Sequence, residues 1–204
     1  MTSTLLKPLA TGLMMMMLAL PATAQTTTDE GTAVETPTGD TLDMGQVVDG
    51  ERQPGTLYTD EVFGDWARRC TANPEGDDPC HMYQLLKDEN GNDTAEVTIQ
   101  RLPEGLQAAA GATVIVPLQT LLTQQLVIKI DGGQTKRYPF KFCTQIGCIA
   151  QIGLTAAEVN AFKRGAKATV TIVPAGAPDQ KVNLDLSLTG FTAAYESLPH
   201  GPEN

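Results

Sequence analysis

The sequence is poor in the residues from which active sites are most often built. Its 204 residues include two histidines, His81 and His200, and one tryptophan, Trp66. No Gly-x-Ser-x-Gly elbow, P-loop or His-Glu-x-x-His occurs, so the hydrolase, nucleotide and zinc-protease chemistries that those patterns carry have no foothold. Bases are also scarce: 14 Lys and Arg stand against 24 Asp and Glu, a formal charge of −10. An acidic chain with no basic stripe in its sequence argues against a nucleic-acid partner. No segment supplies the roughly 20 apolar residues that a spanning helix needs.

What is present begins with an export signal. Lys7 gives a weak positive charge, Leu9 to Leu20 gives a short apolar run, Pro21 breaks it, and Ala22-Thr23-Ala24 is a small-x-small cleavage signal. Residues 1–24 are therefore expected to be a signal peptide, cut before Gln25. No Cys follows the cut to take a lipid anchor, and no transmembrane segment is expected after cleavage. The mature chain is expected to be periplasmic or secreted.

Residues 25–61 hold nine acids and one base, Arg52, with few large apolar residues. Such a segment buries too little surface to offset its ordering entropy. An acidic disordered linker is expected over 25–61, ahead of a folded domain at 62–204.

From Val62 onward, short β-rich runs alternate with turn signals. Candidate strands are 96–100, 112–116, 126–130, 135–142, 148–153, 167–173 and 182–188. In the last, Val182, Leu184, Leu186 and Leu188 alternate with Asn183, Asp185 and Ser187, the period of a strand with one buried face. Asp131-Gly132-Gly133 is a hairpin turn signal. Thr155-Ala156-Ala157-Glu158 reads as a capping box opening a helix of about ten residues, with Gly165 as a left-handed stop. A second helical turn is expected near 192–197. The pattern predicts an all-β fold: an immunoglobulin-like antiparallel β-sandwich with one short helix and two disulfides.

The four cysteines are spaced C-x9-C (Cys70, Cys80) and C-x4-C (Cys143, Cys148). An exported chain with an even count reads first as disulfide-bonded. Local pairing, Cys70 with Cys80 and Cys143 with Cys148, is expected because each pair brackets a turn-forming stretch. Zinc and thiol redox chemistry are the competing readings. Both prefer C-x2-C, which is absent. No cofactor and no metal are expected.

The remaining candidates read as structural. Asp65 beside Trp66 is a lone carboxylate, and Trp66 is expected in the core. Gln84 and Gln119 are suited to satisfying backbone groups. Lys163, Arg164 and Lys167 form a small basic cluster on a solvated face. The hairpin tip Thr144, Gln145, Ile146 and Gly147 is the candidate binding surface.

Taken together, several motifs in order resemble the invasion-associated locus B family of bacterial envelope proteins. They are Phe63-Gly64-Asp65-Trp66, then Cys70, Cys80 and Gln84, then Val116-Pro117-Leu118 and Ile128-Lys129-Ile130-Asp131. Pro139-Phe140-Lys141-Phe142-Cys143-Thr144-Gln145-Ile146-Gly147-Cys148-Ile149-Ala150 follows, and Leu186-Ser187-Leu188-Thr189-Gly190-Phe191-Thr192-Ala193-Ala194 closes the domain. The family pattern usually carries glycine where this chain has Gln119 and Gln125, and it does not include the acidic spacer. The resemblance implies a secreted or periplasmic β-sandwich named for a role in host-cell invasion, with no established catalytic residues. The expected function is a non-enzymatic envelope or secreted protein acting through contacts with a protein partner of the envelope or the host. The alternatives are an accessory subunit or assembly factor in peripheral contact with a membrane complex, and a hydrolytic or redox enzyme.

Overall fold

The structure, a computed structural model, describes residues 52–201. The signal peptide expected over 1–24 and the linker residues up to 51 lie outside the described residues.

The described residues form eleven strands and two short α-helices. In order they are β1 (Leu57–Phe63), β2 (Trp66–Thr71), β3 (Cys80–Lys87), β4 (Asp93–Arg101), β5 (Ala110–Val116), β6 (Leu126–Ile130), β7 (Thr135–Tyr138), β8 (Phe142–Thr144) and β9 (Gly147–Leu154). Helix α1 (Ala156–Arg164), β10 (Lys167–Ile172), β11 (Val182–Ser187) and α2 (Phe191–Glu196) follow. Two antiparallel sheets result: seven strands ordered β1-β2-β3-β4-β5-β9-β8, and four ordered β11-β10-β6-β7. β1 to β5 form an up-and-down meander.

Alternation along the strands builds the core between the sheets. Ala95, Val97 and Ile99 of β4 are buried, as are Val114 and Val116 of β5, Val170 and Ile172 of β10, and Leu184 and Leu186 of β11. All belong to one hydrophobic cluster. Burying each large aliphatic side chain contributes about 1.5–3 kcal/mol.

One end of the core is closed by the helices. Thr155 and Glu158 form the reciprocal capping box of α1, whose Val159 and Phe162 are buried. Phe162 stacks on Phe191 of α2 at 5.3 Å, and Trp66 meets Phe191 edge-on at 5.5 Å. Trp66 is fully buried. Gly165 is extended, not left-handed. A Cβ there would stand 2.8 Å from Leu188, so its smallness serves packing.

Two boundaries differ from the sequence reading. Residues 57–61, which composition places in the linker, belong to β1. An edge strand needs no buried face, and β1 is held instead by polar contacts. Arg68 of β2 pairs with Asp60 and with Glu61, and Tyr58 donates to Asp78 at 2.6 Å. Asp60 and Glu61, two of the nine acids that suggested disorder, are thus pairing partners. The strand expected over 135–142 is two strands in different sheets. Pro139 has no N–H to donate to a ladder, and the chain crosses from β7 to β8 over residues 139–141.

Candidate functional site

The β8–β9 hairpin stands at the free edge of the seven-stranded sheet. Cys143 and Cys148 are directly paired across it and bridged. Cys148 is buried in the core, whereas Cys143 is exposed. The disulfide thus ties an exposed three-residue strand to a buried one. Gln145 and Ile146 form the turn between Thr144 and Gly147, and Thr144 Oγ1 accepts from the Ile146 N–H at 3.4 Å. Gly147 has φ +142, and a Cβ there would lie 2.4 Å from the Val116 carbonyl oxygen. Only glycine lets the tip sit this close to the end of β5.

Two large apolar side chains of the hairpin meet solvent beside the exposed Thr144 and Gln145. Ile146 is 73% exposed and Phe142 is 51% exposed. Phe142, Ile149 and Ile115 are successive partners across β8, β9 and β5, so they share one row on the outer face. Leu118, two residues beyond β5, is exposed at the same end of the sheet. The sequence singled out Thr144 to Gly147 but missed Phe142 and Leu118. A single exposed Phe or Leu carries no signal until register places it beside another.

The other disulfide joins Cys70 and Cys80, again directly paired, on β2 and β3. It closes the loop in which Asp78 Oδ1 accepts from Asn73 N at 2.7 Å. All described cysteines are bridged. Among the described residues, no group of three or more His, Cys, Asp and Glu is placed to hold a metal.

The two histidines and the Asp65–Ser187 pair lie outside the tip hairpin. His81 lies opposite Arg69 on β2. Burial, and next the Arg69 charge, push its imidazole below the ordinary 6.5. His200 Nε2 contacts Arg101 Nη2 at 2.5 Å. Asp65 Oδ2 accepts from Ser187 Oγ at 2.6 Å. That hydroxyl in turn accepts from Thr189 N at 3.2 Å, so the Ser–Asp pair is joined to backbone and has no histidine. Gln84 satisfies backbone groups as its residue type suggested: its amide bonds both the N–H and the C=O of Ser187. Tyr138, in a cleft of about 410 Å³ beside α1, is pushed up to about 12 by burial and by Glu158, so it stays protonated. What this surface offers chemically is an apolar knob on a covalently braced edge.

A family model described as "Invasion associated locus B (IalB) protein" matches residues 66–199. The chain belongs to the invasion associated locus B family. The IalB match spans both disulfides, the tip and the aromatic cluster. Two invasion protein B homologues of Brucella abortus, from strain 2308 and from biovar 1 strain 9-941, are each 29% identical over 150 residues, covering 71% of this chain and 82% of their own length. The crystal structure of invasion associated protein B from Bartonella henselae has a similar fold, with TM-score 0.51 and 22% identity over 66% of this chain and 90% of that one. The IalB domain is therefore antiparallel and mostly β. Among the described residues, no helix is long and apolar enough to cross a membrane.

Proposed function

We propose that this IalB-family chain is an exported, non-enzymatic protein that works by docking a protein partner on the β8–β9 tip, in the periplasm or outside the cell. The observation that carries the reading is the exposed pair Ile146 and Phe142 on a hairpin braced by Cys143–Cys148. Large exposed side chains on a rigid, disulfide-pinned edge suit an anchor that enters a partner's pocket with little ordering entropy to lose. Export rests on the signal pattern ending in Ala22-Thr23-Ala24. The names of the relatives make invasion the setting in which to look for a partner.

The test is a photo-crosslinking side chain at Gln145, in otherwise native chain expressed in its own cell. A discrete crosslinked protein is expected, and Ile146→Asp should abolish it while leaving both disulfides and the melting temperature unchanged. A captured component of a membrane complex would make the chain an accessory subunit or assembly factor. Unchanged crosslinking in Ile146→Asp would show that the tip is not the docking surface.

A further inference from the structure

The outer face of the four-stranded sheet, which no residue of the tip lines, forms a groove of about 790 Å³. Its floor is set by register. Arg137, Val127, Thr171 and Asn183 make one row across the four strands, and Thr135, Lys129, Thr169 and Asp185 make the next. The turn between β3 and β4 supplies a wall with Lys87, Asp88 and Glu89, and Lys181 stands at the entry to β11.

The charge here opposes that of the molecule. Five bases and three acids line the groove, in a chain of formal charge −10. Lys167 is held by Asp185 at 3.1 Å, and Lys87 pairs with Asp93. Among the described residues, no carboxylate lies within 4.0 Å of Lys129, Arg137 or Lys181. Lys129 and Arg137 are diagonal neighbours across β6 and β7, a placement of about 7–8 Å between Cα atoms.

The floor decides which anion fits. Thr169, Thr171 and Asn183 offer hydroxyl and amide groups, and Thr171 already donates to Asn183 Oδ1 at 2.7 Å. No aromatic side chain lines the groove, so bases have nothing to stack on, as single-stranded nucleic acid would need. The flooring strands β6 and β10 are interior, so their backbone cannot add a peptide strand, and Val127 and Val173 are the only apolar side chains in the lining. Hydroxyl-rich polarity with unpaired cations matches a hydroxyl-rich polyanion.

We propose that this groove binds an acidic polysaccharide, a sugar chain bearing carboxylates or sulfates. Lys129, Arg137 and Lys181 meet the charges, while Thr169 and Asn183 meet the hydroxyls. Most of these cations are lysines, which act as point charges and do not demand one bidentate geometry.

The test is calorimetric titration of the full chain, disulfides intact, with oligosaccharides of heparin and of polygalacturonate. At least one should bind saturably, and more weakly as salt rises. The Lys129→Gln/Arg137→Gln variant should lose about tenfold in affinity or more at an unchanged melting temperature. Ile146→Asp, at the tip, should bind as the parent does, which separates this site from the docking surface. Three results would each overturn the proposal: no binding of either oligosaccharide, equal binding by the double variant, or equal or tighter binding of a polyglutamate peptide or single-stranded DNA of the same charge.

Discussion

Gln84 grips the backbone of Ser187 from the opposite sheet with both ends of its amide. Its Oε1 accepts from Ser187 N at 2.8 Å, and its Nε2 donates to Ser187 O at 3.1 Å. The same nitrogen donates to Asp65 O at 3.2 Å, and Trp66 Nε1 shares the Ser187 carbonyl at 2.9 Å. Gln84 is buried, so water cannot replace it. Gln84→Met keeps the volume and strands the Ser187 N–H. It should cost about 2–3 kcal/mol, read by urea unfolding; a loss below about 0.5 kcal/mol would show that the clamp is dispensable.

Gln125 is the one described non-glycine residue with positive φ, at φ 59 and ψ 166. Side chains are strained there, at a cost of about 1–3 kcal/mol. Gln125→Gly should raise stability by about 1 kcal/mol despite the added chain entropy, whereas Gln125→Ala should not. Paired thermal melts decide it.

The disulfides should differ in strength. Cys70–Cys80 spans ten positions and Cys143–Cys148 five. Loop-closure entropy favours the longer by about 0.5 kcal/mol. Cys70→Ala/Cys80→Ala should therefore lower stability more than Cys143→Ala/Cys148→Ala. Equal or reversed losses in denaturant titrations would place the larger effect in the folded state.

Glu158 should give the fold an acid-sensitive component. Burial pushes its carboxyl up. Lys136 Nζ at 2.6 Å and the Thr155 N–H and hydroxyl at 2.9 and 2.7 Å outweigh that and hold it below the ordinary 4.5. A folded pKa below the unfolded one means the stabilisation is full above about pH 4.5. It is lost as the pH falls through the lower folded value. Glu158→Gln should cost about 1 kcal/mol near neutrality, and the two proteins should converge in stability in acid. A gap that stays the same from neutrality down to the acid limit of the fold would refute the titration.

The strands with one buried face were legible because their period is strict. Leu184 and Leu186 alternate with Asn183 and Asp185 in sequence and face opposite ways in the sheet. The α1 cap was legible for a similar reason: Thr155 and Glu158 act on each other at fixed spacing. β1 was not legible, because an edge strand held by Arg68, Asp60 and Glu61 leaves no hydrophobic period. The basic groove was hidden for a different cause. Lys129, Arg137, Lys167 and Lys181 come from four strands or strand entries, so no stripe forms until the sheet brings them together. The tip was half legible: Gly147 and the cysteines mark the turn, but Phe142 joins it only through its pairing with Ile149.

β1 is paired on one side only, and Leu57 opposite Thr71 is its first rung. Tension arriving along the chain from the N-terminal side would open this ladder rung by rung, as a zipper opens, since each rung carries the whole load alone. After Phe63 the load passes round the turn to β2 and travels along it to Cys70. There the bridge to Cys80 offers a shorter covalent route. Residues 71–79 are bypassed and bear no pull, a loop of slack that stretching cannot spend while the sulfurs stay joined.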